Sequence, residues 1–165
     1  MSAQREGRPT AGIVGPGEGE LGPRTGGRAP EVEIKLGAAD GLGFSMVEYR
    51  VPPRFSPPPV LHRQTREDTA VYVLEGELRY WLGAEGREVV AGPGTLVRLP
   101  EGGWNRWANE QDRECRMLAV FAPAGFERFF LEVGAVAAAA QGDPDVLQRA
   151  IPELRERYGD EQLGD

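Results

Sequence analysis

Residues 57–78 read PPPVLHRQTREDTAVYVLEGEL and residues 92–109 read GPGTLVRLPEGGWNRWAN. Each is a short β-rich run bracketed by turn chemistry. Thr69 to Glu75 and Thr95 to Leu99 are dominated by β-branched, aromatic and long apolar residues, as strands are. Gly92-Pro93-Gly94 and Gly102-Gly103 mark the turns. Gly76 interrupts one long strand, as glycine does where a barrel strand bends.

Working outward, the same grammar continues. EVEIKL (31–36), FSMVEYRV (44–51), ELRYWL (77–82), REVV (87–90) and CRMLAVF (115–121) are further strands. Asp40-Gly41 and the stretch from Gly83 to Gly86 separate some of them. Short strands at this spacing predict an all-β sandwich or barrel. After Phe121 the period changes. Phe126, Phe129, Phe130 and Val133 mark one face of a helix, with Pro123 suited to its first turn. Asp143-Pro144 opens a second helix, and Val146, Leu147, Ala150, Ile151, Leu154 and Tyr158 mark its buried face. Pro152 should kink or restart it. Both helices are expected on the outside of the barrel.

The 165 residues suit one domain plus some tail. A net charge of −7 argues against nucleic acid or anionic membrane as a partner. No helix-turn-helix pattern accompanies the strands. Eighteen of the nineteen basic residues are arginine, which is read as genome composition rather than phosphate binding. Cys115 is the single cysteine, so no intrachain disulfide forms, and its apolar flanks predict a buried, inert thiol. The start, MSAQREGRPT, has no apolar signal region, and no run approaches the ~20 apolar residues of a membrane span. A soluble, cytoplasmic protein is expected. Residues 1–30 hold eight glycines and four prolines and are expected to be mostly mobile. GPGEGE within them lacks the lysine and hydroxyl of a phosphate loop.

The two quoted stretches strongly resemble the paired motifs of the cupin superfamily. FAPAGFERFF (121–130) and RYGDEQLG (157–164) look like the tail of small quercetin-dioxygenase-like bacterial cupins. The resemblance implies an all-β double-stranded β-helix, the jelly-roll barrel, at residues 31–122, with a helical extension at 123–165. It also implies a homodimer, in which an N-terminal strand bearing Ile13 and Val14 crosses to a neighbour. In that family the first motif supplies His, His and Glu to a divalent metal, and the second supplies another His. The matching positions here are His62, Gln64, Thr69 and Asn105.

His62 is the sole histidine of the chain. A first-row metal wants imidazoles and a carboxylate at about 2.0–2.2 Å. Amide oxygens and a hydroxyl are weak substitutes and bring no negative charge, so no metal cofactor is expected. Glu67 or Asp68 could replace the missing carboxylate only by a one-residue register slip, which turns every side chain to the other face. Both are read as a solvated turn.

What remains is a ring of hydrogen-bonding groups in an apolar tube. His62, Gln64 and Asn105 are the candidate catalytic residues, with Thr69, Trp107, Tyr72, Arg98 and Glu48 as candidate ligand contacts. Alternation puts His62 and Gln64 inward, Asn105 and Trp107 on one shared face, and Trp104 at the rim or outside. Tyr80 and Trp81 are further candidates for stacking. The facing of Glu48, Arg50 and Arg98 is open, and a buried arginine would indicate an anionic or enolate-bearing ligand. His62 is either an acid–base group or a barrel histidine bonded to Gln64 or a backbone carbonyl. The leading expectation is a metal-independent cupin that binds a largely apolar organic molecule, flat or polyene-like, and isomerises or cyclises it in a biosynthetic pathway. A non-catalytic binding module and a metal-dependent, quercetinase-like dioxygenase are the alternatives.

Overall fold

The computed structural model describes residues 10–164. The first nine residues of the segment expected to be mobile, and Asp165, lie outside the described residues. The strands are β1 (Glu20–Leu21), β2 (Glu31–Leu36), β3 (Ser45–Val51), β4 (His62–Gln64), β5 (Asp68–Glu75) and β6 (Leu78–Leu82). They continue with β7 (Arg87–Ala91), β8 (Leu96–Leu99), β9 (Asn105–Ala108), β10 (Cys115–Ala122) and β11 (Asp160–Gln162). Helices α1 (Glu127–Ala139) and α2 (Pro144–Tyr158) lie between β10 and β11. Two antiparallel sheets result, ordered β1-β2-β3-β10-β5-β8 and β11-β4-β9-β6-β7. This is the all-β barrel with C-terminal helices that the strand spacing predicts.

Alternation builds the core. Along β10, Cys115, Met117, Ala119 and Phe121 are buried, and in β3 Ser45, Val47, Tyr49 and Val51 are. In β5 Thr69, Val71 and Val73 are buried. β10 lies between β3 and β5, with Phe121 opposite both Ser45 and Thr69. Residues of period two therefore reach the inter-sheet space from three adjacent strands. Gly76 makes the bend after β5 at φ +78°, and a Cβ there would lie 2.9 Å from the Cys115 Cα. A side chain is excluded twice, by conformation and by space.

Residues 19–30 run along the sheet edge, where the Gly22 N–H donates to the Val32 carbonyl (2.9 Å) and the buried Thr25 hydroxyl donates to the Ala29 carbonyl (2.6 Å). Three expectations need correction. Pro123 precedes α1 by four residues instead of sitting in its first turn, and α2 runs through Pro152 without a break. The helical segment is also not merely external. Phe126, Phe129 and Phe130 turn into the space between the sheets, where Phe130 meets Tyr49 edge-on at 4.8 Å and Phe126 meets Phe121 at 5.3 Å. The caps of α2 explain its ends. Asp143 Oδ1 accepts from the Asp145 N–H, and Gly159 takes φ +70°, the left-handed conformation that stops a helix and releases the chain into β11.

Candidate functional site

β4 is a three-residue strand held between β9 and β11. His62 pairs with Asn105 on one side and Gln162 on the other, and Gln64 pairs with Asp160. This arrangement surrounds a cavity of about 120 Å³ lined by His62, Gln64, Thr69, Asn105, Asp160 and Arg155 as its polar groups. Tyr49, Tyr80, Trp107, Phe121, Phe126 and the α1 residues Phe129 and Phe130 supply its aromatic surface.

The structure thus gathers His62, Gln64, Asn105, Thr69 and Trp107 at one cavity, together with Tyr80. It does not bring Tyr72, Arg98 or Glu48 there. Tyr72 is 43% exposed, and Arg98 is exposed between buried Val97 and Leu99. Glu48 lies on the outer face of β3, where it accepts from the Arg116 guanidinium at 2.9 Å and 3.1 Å. Arg50 is exposed beside it. Trp81 also faces out, under the Arg106 guanidinium at 4.0 Å, and Trp104 lies outside under Arg63 at 4.6 Å. Cys115 is buried, and burial pushes its thiol up to about 11, so it is protonated and unreactive at neutral pH.

The amides are partly paired with protein. The Thr69 hydroxyl donates to Gln64 Oε1 at 2.8 Å, and Asn105 Nδ2 donates to the His62 carbonyl at 3.3 Å. Burial, reinforced by the positive charge of Arg155, lowers the His62 pKa to about 4, while a backbone contact to Val60 pulls the other way. His62 is therefore neutral at pH 7 and has a free proton-accepting capacity.

Four groups were missed or misread in the sequence. Asp160, Arg155 and Tyr49 belong to the cavity wall. Arg155 Nε lies 3.2 Å from Asp160 Oδ2, with side chains only 13% and 4% exposed. The distance makes an ion pair, but the angle makes no hydrogen bond: Arg155 Nε and Nη1 and Asp160 Oδ1 are buried without partners, as is the Tyr49 hydroxyl. Burial raises the Asp160 pKa to about 6 against the opposing pull of Arg155. Glu67, read as part of a solvated turn, is instead buried, with Oε1 unpartnered. Burial raises it to about 7; Arg66 opposes this, and the charges of Asp160, Glu101 and Glu127 add to it. Asp68 does sit at the surface, where Oδ1 accepts from the Glu101 N–H.

A divalent ion does not fit this donor set. Gln64 Oε1 is engaged by Thr69, and the one carboxylate lining the cavity already faces a guanidinium that would repel a cation. Among the described residues no cluster of three His, Cys, Asp or Glu side chains is placed to hold a metal.

A family model described as "Cupin domain" matches residues 47–121. With the paired antiparallel sheets, it shows a cupin domain over those residues. Solved structures of the same fold include the polyketide cyclase RemF from Streptomyces resistomycificus, 24% identical over 68% of this chain and 80% of that one, at TM-score 0.57. KdgF from Halomonas sp. is 16% identical over 72% of this chain and 99% of that one, at TM-score 0.58. Ectoine synthase from P. lautus is 20% identical over 82% of this chain and 77% of that one, at TM-score 0.53. At these identities the likeness concerns the fold. No curated protein sequence matches the chain. Among the described residues no helix is long and apolar enough to cross a membrane.

Proposed function

We propose that this cupin binds a small organic molecule in its barrel without a metal and turns it over by proton transfer, as an isomerisation or ring closure requires. One observation carries the reading: a half-open, largely aromatic cavity between the two sheets has hydrogen-bonding groups in its wall, among them a histidine that is neutral at pH 7. Such a site holds a reactive conformer, and Gln64 or Asn105 polarises a carbonyl while His62 moves the proton. The polyketide cyclase among the structural neighbours supports ring closure as a chemistry that this fold can host. A cavity of about 120 Å³ is smaller than a polyene needs; one of roughly 150 Å³ takes a benzene ring. The substrate is accordingly a compact molecule with a carbonyl. The exposed Ile13 and Val14 support a homodimer as the working assembly, and a size-exclusion mass near twice that of the chain is expected.

The test is exchange chemistry. The purified protein is incubated in D2O with small cyclic ketones and keto acids, and deuterium incorporation beside the carbonyl is followed by NMR. Exchange that His62→Gln abolishes is the expected result. Binding without exchange would make the protein a binding module. One tightly held transition ion per chain, required for turnover, would replace this reading with a metal-dependent one.

A further inference from the structure

The cavity has a surplus of unanswered donors. Arg155 Nε and Nη1 and the Tyr49 hydroxyl, on a residue only 1% exposed, are buried at its wall without hydrogen-bond acceptors. Against them stands one unpartnered acceptor there, Asp160 Oδ1. A guanidinium presents five N–H groups in a rigid fork that matches a carboxylate edge-on. Asp160 is close enough to take that fork, yet it approaches Nε at 3.2 Å without hydrogen-bond alignment. A buried arginine left in that state is a binding group without its ligand.

Resting on the function proposed above, we infer that the ligand is a small monocarboxylate and that Arg155 is its anchor. The carboxylate takes the Arg155 fork, the Tyr49 hydroxyl donates to an oxygen of the same molecule, and the apolar body lies against Phe126, Phe129 and Trp107. Charge sets the class. One guanidinium, the neutral His62 and one carboxylate, Asp160, line the cavity, so an entering monocarboxylate shares Arg155 with Asp160, and a phosphate dianion would be matched still less well. Size agrees, because about 120 Å³ holds a compact acid and little more.

Local structure explains why Arg155 is there. It lies four residues after Ile151 and three before Tyr158, on the inward side of α2. The Gly159 cap then turns the chain so that β11 pairs with β4 and Asp160 comes opposite Gln64. The C-terminal segment supplies the anion site, and the barrel strands supply His62 and the amides.

Calorimetric titration of the full chain with isobutyrate, cyclopropanecarboxylate and 2-oxobutanoate, each beside its primary amide, tests the assignment. At least one acid is expected to bind at least about tenfold more tightly than its amide, because the amide forfeits the charge-assisted pair. Arg155→Met should remove that preference and Arg155→Lys should keep part of it. Tyr49→Phe, which deletes only an unpartnered hydroxyl, should weaken acid binding several-fold while the folded circular dichroism is unchanged. Acids and amides binding alike, or inorganic phosphate binding more tightly than any acid, would overturn the carboxylate anchor and leave the cavity reading standing. Failure of every acid and amide to bind, together with no exchange in D2O, would sink both.

Discussion

Replacing Glu67 by glutamine removes a charge from a place where the fold resists it. The side chain is 5% exposed, Oε1 has no partner, and three nearby carboxylates oppose its ionisation. Its pKa rises from 4.5 to about 7 on folding. The folded protein therefore binds this proton more tightly than the unfolded chain. The resulting stability is fully present below pH 4.5 and is lost as pH rises through 7. At about 1.4 kcal/mol per pH unit the loss is at most about 3.5 kcal/mol, and residual hydration brings a realistic figure nearer 1–2 kcal/mol. Glutamine keeps the shape and does not titrate. In urea unfolding from pH 4.5 to 8.5, wild-type stability minus variant stability should fall with rising pH, most steeply between pH 5 and 7. Parallel curves, or a variant that loses ground at high pH, would refute a buried, reluctantly ionised Glu67.

His62 works in the opposite sense. Its folded pKa of about 4 against 6.5 means that stability is present above pH 6.5 and lost as pH falls through 4. His62→Asn should flatten the acid limb by about 1–2 kcal/mol, the neighbouring cavity surface reducing the full value; unfolding midpoints between pH 4 and 7 measure it. Thr69→Val deletes the donor to Gln64 Oε1 and should cost about 1–3 kcal/mol, with Thr69→Ser restoring most of it. Gly76→Ala combines φ +78° with a 2.9 Å approach to Cys115 and should lower stability by about 1–3 kcal/mol, read as a fall in the thermal midpoint.

Much of the barrel was legible because its information is local. Alternation in 69–75 and 115–121 marks the buried faces, and glycine pairs mark the turns. The same rule, applied strictly, separates the site residues as well. Thr69 is buried with Val71 and Val73, so Tyr72 must point the other way. Arg98 lies between Val97 and Leu99, and Glu48 between Val47 and Tyr49, so both face outward for the same reason. Arg155 carried a fainter signal, a charged residue in line with Ile151 and Tyr158 on a helix face. Glu67 had none, since a polar run between strands reads as solvated until something covers it.

The chain's own order of residues determined the strands, the bends and the Asp143 cap of α2, because each depends on neighbours a few positions away. Only the tertiary structure decided that β11 lies against β4. That pairing joins segments nearly a hundred residues apart by backbone hydrogen bonds that no side-chain pattern encodes. It places Asp160 and Arg155 beside His62, and so gives an otherwise neutral cavity its one ion pair and its unanswered guanidinium.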